Sequence, residues 1–181
     1  MPRTADPKLQ ARILEAAHKL FAQGGEHKLS MRALARLART NTPAVYRRFR
    51  DRDAIMYALV HQFRQNIFAV LQPCHSPEEM AHAMLELALK TPREYELFYS
   101  QLINKIPEER PNFEFAKKRC AEWLGGSPED HAGLVMALSA LIHGTAMLLI
   151  SKAVTKRNEA KMREMFTASV QILLRNAAAL R

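Results

Sequence analysis

The chain carries one dense group of side chains suited to a polyanion. Residues 41–53 read NTPAVYRRFRDRD, with Arg47, Arg48, Arg50 and Arg52 inside six positions and Tyr46 and Phe49 set among them. A guanidinium presents a planar fork of donors that pairs with phosphate oxygens or with the N7 and O6 acceptors of guanine. The same residues would also suit a solvated charged edge, so the elements that hold them must decide. Asp51 and Asp53 temper the patch, which is not a bare cationic strip.

Charge along the chain favours the polyanion. Of the net +9, residues 1–75 hold 13 Lys and Arg against 5 Asp and Glu, or +8, whereas residues 76–181 hold 14 against 13, or +1. Such asymmetry points to nucleic acid or an anionic membrane as partner of the N-terminal part. A membrane surface calls for a long basic amphipathic helix, and the basic stretch here is too short to form one.

Other chemistry finds little footing. No GxSxG, HExxH or P-loop occurs, and His18, His27, His61, His75, His82, His131 and His143 are scattered without a nucleophile pattern. No enzyme activity and no cofactor are expected. Cys74 and Cys120 lie in no CxxC or Cys/His spacing, which suggests a reducing compartment, no structural zinc and two idle thiols. The opening MPRTADPKLQAR has no apolar signal core. Ala132 to Ile150 is apolar but interrupted by Ser139, His143, Gly144 and Thr145, as suits a buried helix better than a membrane span. A cytoplasmic protein is the expectation.

The elements read as all-α. Asp6-Pro7, Ser76-Pro77, Thr91-Pro92 and Ser127-Pro128 are helix starts, a short polar cap beside a proline whose missing N–H costs nothing there. Glu79 and Glu94 complete capping boxes with Ser76 and Thr91. The apolar spacing predicts nine helices, over 7–23, 31–38, 42–49, 52–71, 77–89, 92–104, 112–123, 128–153 and 157–179. The charge balance changes near Gln72 to His75, so the fourth helix should link a basic N-terminal unit, here taken as 1–52, to a helical remainder over 53–181.

Two short helices, joined through Arg39-Thr40-Asn41, have helix-turn-helix dimensions. Leu34, Leu37, Ala38, Val45 and Phe49 would form the small apolar cluster that holds them, because helices this short need packing. On a helical wheel Pro43, Ala44, Arg47 and Arg48 lie away from Val45 and Phe49. That outer arc could enter a major groove, with Arg47 reading guanine and Tyr46, Arg48, Arg50 and Arg52 along the phosphates.

The run from Ile13 to Val60, with ILEAAHKLFAQGG followed by LSMRALARLARTNTPAVYRRFRDRDAIMYAL, closely resembles the DNA-binding domain of the TetR/AcrR family of bacterial transcriptional regulators. The resemblance implies a three-helix DNA-binding domain and a homodimer joined by the last two helices. It also implies a palindromic operator released by a small molecule. By position, Ser30 would cap the second helix and touch a phosphate. Asn41, Thr42, Ala44 and Arg47 would face the groove, and Tyr46 and Arg52 the backbone. Arg39 stands where the family usually has glycine. Either the turn tolerates it at a cost of about 1 kcal/mol, or its charge reaches a phosphate.

The eighth helix is rich in small residues, and Gly133, Ala137 and Ala140 could let another backbone approach. Phe166, Ser169, Ile172 and Leu173 on the ninth could complete that dimer interface. Met84, Phe98, Tyr99, Leu102, Trp123, His143 and Met147 could line an adaptable apolar ligand pocket, although Met and aromatic residues at helical spacing also serve as ordinary core.

Overall fold

A computed structural model describes residues 8–104 and 110–180, leaving aside the side chains of 101–104. Among the described residues there are nine α-helices and no strand. They are α1 (Leu9–Gly24), α2 (Met31–Leu37), α3 (Thr42–Tyr46), α4 (Arg52–Leu71) and α5 (Pro77–Lys90), then α6 (Pro92–Asn104), α7 (Pro111–Leu124), α8 (Ala132–Ile150) and α9 (Lys156–Arg175). Short 3-10 turns cover Gly25–Lys28, Pro128–His131 and Ala177–Leu180. The Asp6-Pro7 start lies outside the described residues.

Contacts divide the chain into two compact units, residues 1–64 with 93–103, and residues 65–92 with 104–181. In the first, Ile13, Ala16, Ala17 and Phe21 of α1 form one side of a continuous core. Leu34 and Ala35 of α2, Val45 of α3, Phe49, and Ile55 and Leu59 of α4 complete it. α6 joins the same unit, with buried Phe63 meeting Tyr95 edge-on at 6.2 Å and Phe98 at 5.3 Å between ring centroids. Arg93 donates to the Ala22 carbonyl, and buried Glu94 faces His18 at 3.8 Å.

The caps explain where helices begin. Ser30 Oγ accepts from the Ala33 N–H at 3.2 Å, Asn41 Oδ1 from Ala44 at 2.9 Å, and Ser76 Oγ from Glu79 at 3.1 Å. Each satisfies a donor that the first helical turn leaves open. The capping boxes differ in detail from expectation. The Glu79 carboxylate accepts from His75 rather than Ser76, and the Thr91 hydroxyl donates back to the Leu87 carbonyl at 2.8 Å. Asp130 accepts from the Ser127 N–H at 2.8 Å.

The turn after α2 is a Schellman closure. Thr40 N–H reaches the Ala35 carbonyl at 2.8 Å and Arg39 N–H the Arg36 carbonyl at 3.3 Å, which places Arg39 at φ 53°. Arg12 of α1 donates to the adjoining Ala38 carbonyl at 3.3 Å and supports the turn. A Cβ in the left-handed region is strained, so Arg39→Gly should raise stability by about 1 kcal/mol. A thermal melt should show a midpoint higher by about 2–4 °C.

In the second unit α5, α8 and α9 pack together. Glu86 pairs with Arg163, Gln171 donates to Glu78 at 3.1 Å, and the His82 ring meets Phe166 edge-on at 5.3 Å. Lys117 of α7 is buried between Glu114 at 3.0 Å and Glu129 at 2.7 Å, which ties α7 to the turn before α8. Both cysteines are free, and burial raises the Cys120 thiol to about 11, so it stays protonated at neutral pH.

Candidate nucleic-acid interface

The fold leaves the basic stretch facing outward. α3 is shorter than expected, because regular helix ends at Tyr46 and the chain continues through turn hydrogen bonds to Phe49. Val45 and Phe49 are buried beneath it, and Pro43, Tyr46, Arg47, Arg48 and Arg50 are exposed above. Asn41 is exposed and Thr42 half-buried at the start of the helix, with exposed Ser30 capping α2. Arg39 and Arg47 make no ion pair among the described residues, so their donors are open to an incoming acceptor.

The next pair of arginines is held by acids. Arg50 donates to Asp51 at 2.8 Å, while the other Asp51 oxygen accepts from the Ala54 N–H at 2.8 Å and caps α4. That backbone bond, followed by Arg50, holds the Asp51 carboxyl below its ordinary range, and Asp51 in turn raises Arg50. α4 therefore begins at Arg52, whose guanidinium lies 3.9 Å from Glu26 with both side chains about half exposed. Exposed pairs of this kind are weak, and the arginine can exchange its partner for a phosphate.

Two expectations for these helices are corrected. Ala44, assigned to the outer arc, is only 4% exposed, because α3 is shallow and its first turn seats against α2. Leu37, assigned to the apolar cluster, is 44% exposed; Leu34, Ala35 and Ala38 fill the core side of α2 instead.

Over this segment, residues 13–59 match the family described as "Bacterial regulatory proteins, tetR family". The match spans α2 and α3 with most of α1 and the start of α4. The chain is 33% identical over 73 residues to the HTH-type transcriptional repressor Rv1474c of Mycobacterium tuberculosis, an alignment covering 39% of each chain. Among solved structures it is similar to the transcriptional regulator SCO7222, a TetR from Streptomyces coelicolor. There the TM-score is 0.72 at 20% identity, over 94% of this chain and 98% of that one. It is also similar to a TetR variant from Acinetobacter baumannii AYE in complex with minocycline, with TM-score 0.67 and 18% identity over 93% and 96% of the two chains. At these identities the structures establish a shared fold over the residues they cover.

The remaining candidate residues fall in different places. Phe98 and Tyr99 lie in the first unit, whereas Met84, Trp123, His143 and Met147 lie in the second. The Leu102 side chain is outside the described residues. Trp123 stacks under Arg119 at 4.6 Å, and burial holds His143 below the ordinary imidazole range. Among the interface candidates, Ile172 is exposed at 57% and Ala140 is exposed, while Ala137, Ser169 and Leu173 are half-buried. Phe166 is corrected: at 2% exposure it belongs to the core of its own unit against His82. Gly133 is exposed, and a Cβ there would collide with the Leu180 carbonyl of the same chain.

The helix over Pro128–Ile150 is long and apolar enough to cross a membrane, and about one-third of its apolar window is buried. It is thus buried along one side rather than throughout. Met136, Ala140, Gly144 and Leu148 recur at i+4 on its exposed side, and Met165 joins Ile172 outside α9. The sequence pattern held this i+4 run, hidden among apolar neighbours on every side of the helix.

Proposed function

We propose that the protein is a homodimeric, sequence-specific transcriptional regulator of the repressor type that binds a palindromic operator in double-stranded DNA. Residues 1–52 would carry the DNA contact and 53–181 dimerisation and control by a small apolar ligand. The observation that carries this reading is the set of exposed arginines on a capped helix-turn-helix, with Arg39 and Arg47 unengaged by any described acid. The repressor relative supports the direction of control. The neighbour in complex with minocycline supports control by a small molecule.

In this reading Arg47, Asn41, Thr42 and Pro43 meet base edges, and Ser30, Arg39, Tyr46, Arg48 and Arg52 meet phosphates. A two-fold dimer would present two such helices about 34 Å apart, one turn of duplex. The exposed faces of α8 and α9, with Met136, Ala140, Gly144, Leu148, Met165 and Ile172, supply the apolar surface for that dimer.

Selection of bound duplexes from a randomised pool, followed by salt titration of the winner, tests the proposal. A palindromic winner is expected; steep salt dependence with no preferred sequence would sink the operator. Arg47→Ala should then lower operator affinity by about 10- to 100-fold and leave non-specific binding unchanged. Arg52→Ala should weaken all duplexes alike and flatten the salt slope by about one, and Arg39→Gly should do the same more weakly. A uniform loss from Arg47→Ala with preference intact would reverse the two roles.

A further inference from the structure

Leu37 is the one large, wholly apolar side chain prominently exposed among the described residues of the first unit; Tyr46 and Tyr57, the others of that size, carry hydroxyls. It lies on the stripe of α2 that begins at its Ser30 cap and continues through Ala33, at spacings of three and four. Four residues later Asn41 opens α3. Its neighbours Arg36 and Arg39 are exposed cations. The acids closest to it in sequence, Glu26 and Asp51, already face Arg52 and Arg50. A leucine set among arginines suits a partner that is anionic overall and apolar at one point.

We propose that Leu37 is a specificity-determining residue that reads a thymine 5-methyl group at the edge of the operator's major groove. This rests on the DNA-binding reading above. That methyl is the apolar landmark among base edges in the groove, and aliphatic side chains recognise it by contact. Ala44, the methyl-bearing residue expected to face the groove, is buried and cannot serve. The Schellman closure at Arg39 fixes where α2 ends, so the leucine is carried on ordered backbone next to the start of α3.

The test uses the full chain and its selected operator, with each thymine replaced in turn by deoxyuridine, which removes only the methyl. Wild type should lose about 3- to 5-fold at one thymine of each half-site, the worth of one buried methyl. Leu37→Ala should bind the thymine operator more weakly by a similar factor and become indifferent to deoxyuridine at that position alone. Because Leu37 is exposed, the variant should melt like wild type. An unchanged deoxyuridine profile in Leu37→Ala would overturn the proposal while leaving operator binding intact. A variant altered in dimer mass but not in methyl sensitivity would assign the leucine to a protein contact and also overturn it. If wild type prefers no duplex, the DNA reading itself fails, and this inference with it.

Discussion

Ile172→Glu is expected to yield a folded monomer with operator affinity lower by about 30-fold or more, the range of a central interface residue. The side chain is 57% exposed on α9, so the glutamate meets water in the isolated chain and stability should change little. In the proposed dimer the same glutamate is desolvated without a partner, a heavy cost for a carboxylate. Losing the dimer separates two half-sites that one protein otherwise binds together, and the single-site affinity alone remains. Sedimentation would measure the mass and a salt-controlled titration the affinity. Phe166→Ala on the same helix separates burial from interface, since it should destabilise the chain because Phe166 packs inside its own unit. A dimeric, fully active Ile172→Glu would remove α9 from the interface.

Phe63→Ala should lower stability by about 3–5 kcal/mol, the usual cost of deleting a fully buried aromatic ring. Phe63 is 1% exposed and touches both Tyr95 and Phe98, so one truncation breaks two ring contacts and opens a cavity where α4 meets α6. For a chain of this size the melting midpoint should fall by roughly 10 °C. Phe68→Ala is the control. That ring, in the second unit, is 37% exposed and meets Phe115 of the same unit at a tilt, 4.6 Å between centroids, so less than half the effect is expected. Calorimetry that found the two variants equal would show that burial does not set the cost here.

Much of this was legible from residue types. Ser30, Asn41, Ser76 and Asp51 announce helix starts because a short polar side chain has one good use beside an open N–H, and each is found capping. The αL position of Arg39 was legible through the glycine that the family places there. What escaped depended on which face of a helix the rest of the chain covers. Leu37 and Ala44 exchanged places, since a wheel fixes angles between residues but not the direction of the core on a helix of one or two turns. Phe166 looked like interface because apolar spacing is the same whether a stripe meets its own chain or a second one.

Asp51 links the basic stretch to proton concentration. Its carboxyl titrates lower in the folded chain than in the unfolded one, first because of the Ala54 N–H and then because of Arg50. The folded form therefore binds that proton less readily. The stabilisation is fully present above the unfolded carboxyl's titration and is lost as pH falls through the lower folded value. Around neutrality the joint between α3 and α4 should be flat in pH, and any acid response there should begin only below the ordinary carboxylate range. A change in DNA affinity between pH 6 and 8, where histidines titrate, would have to come from elsewhere in the protein.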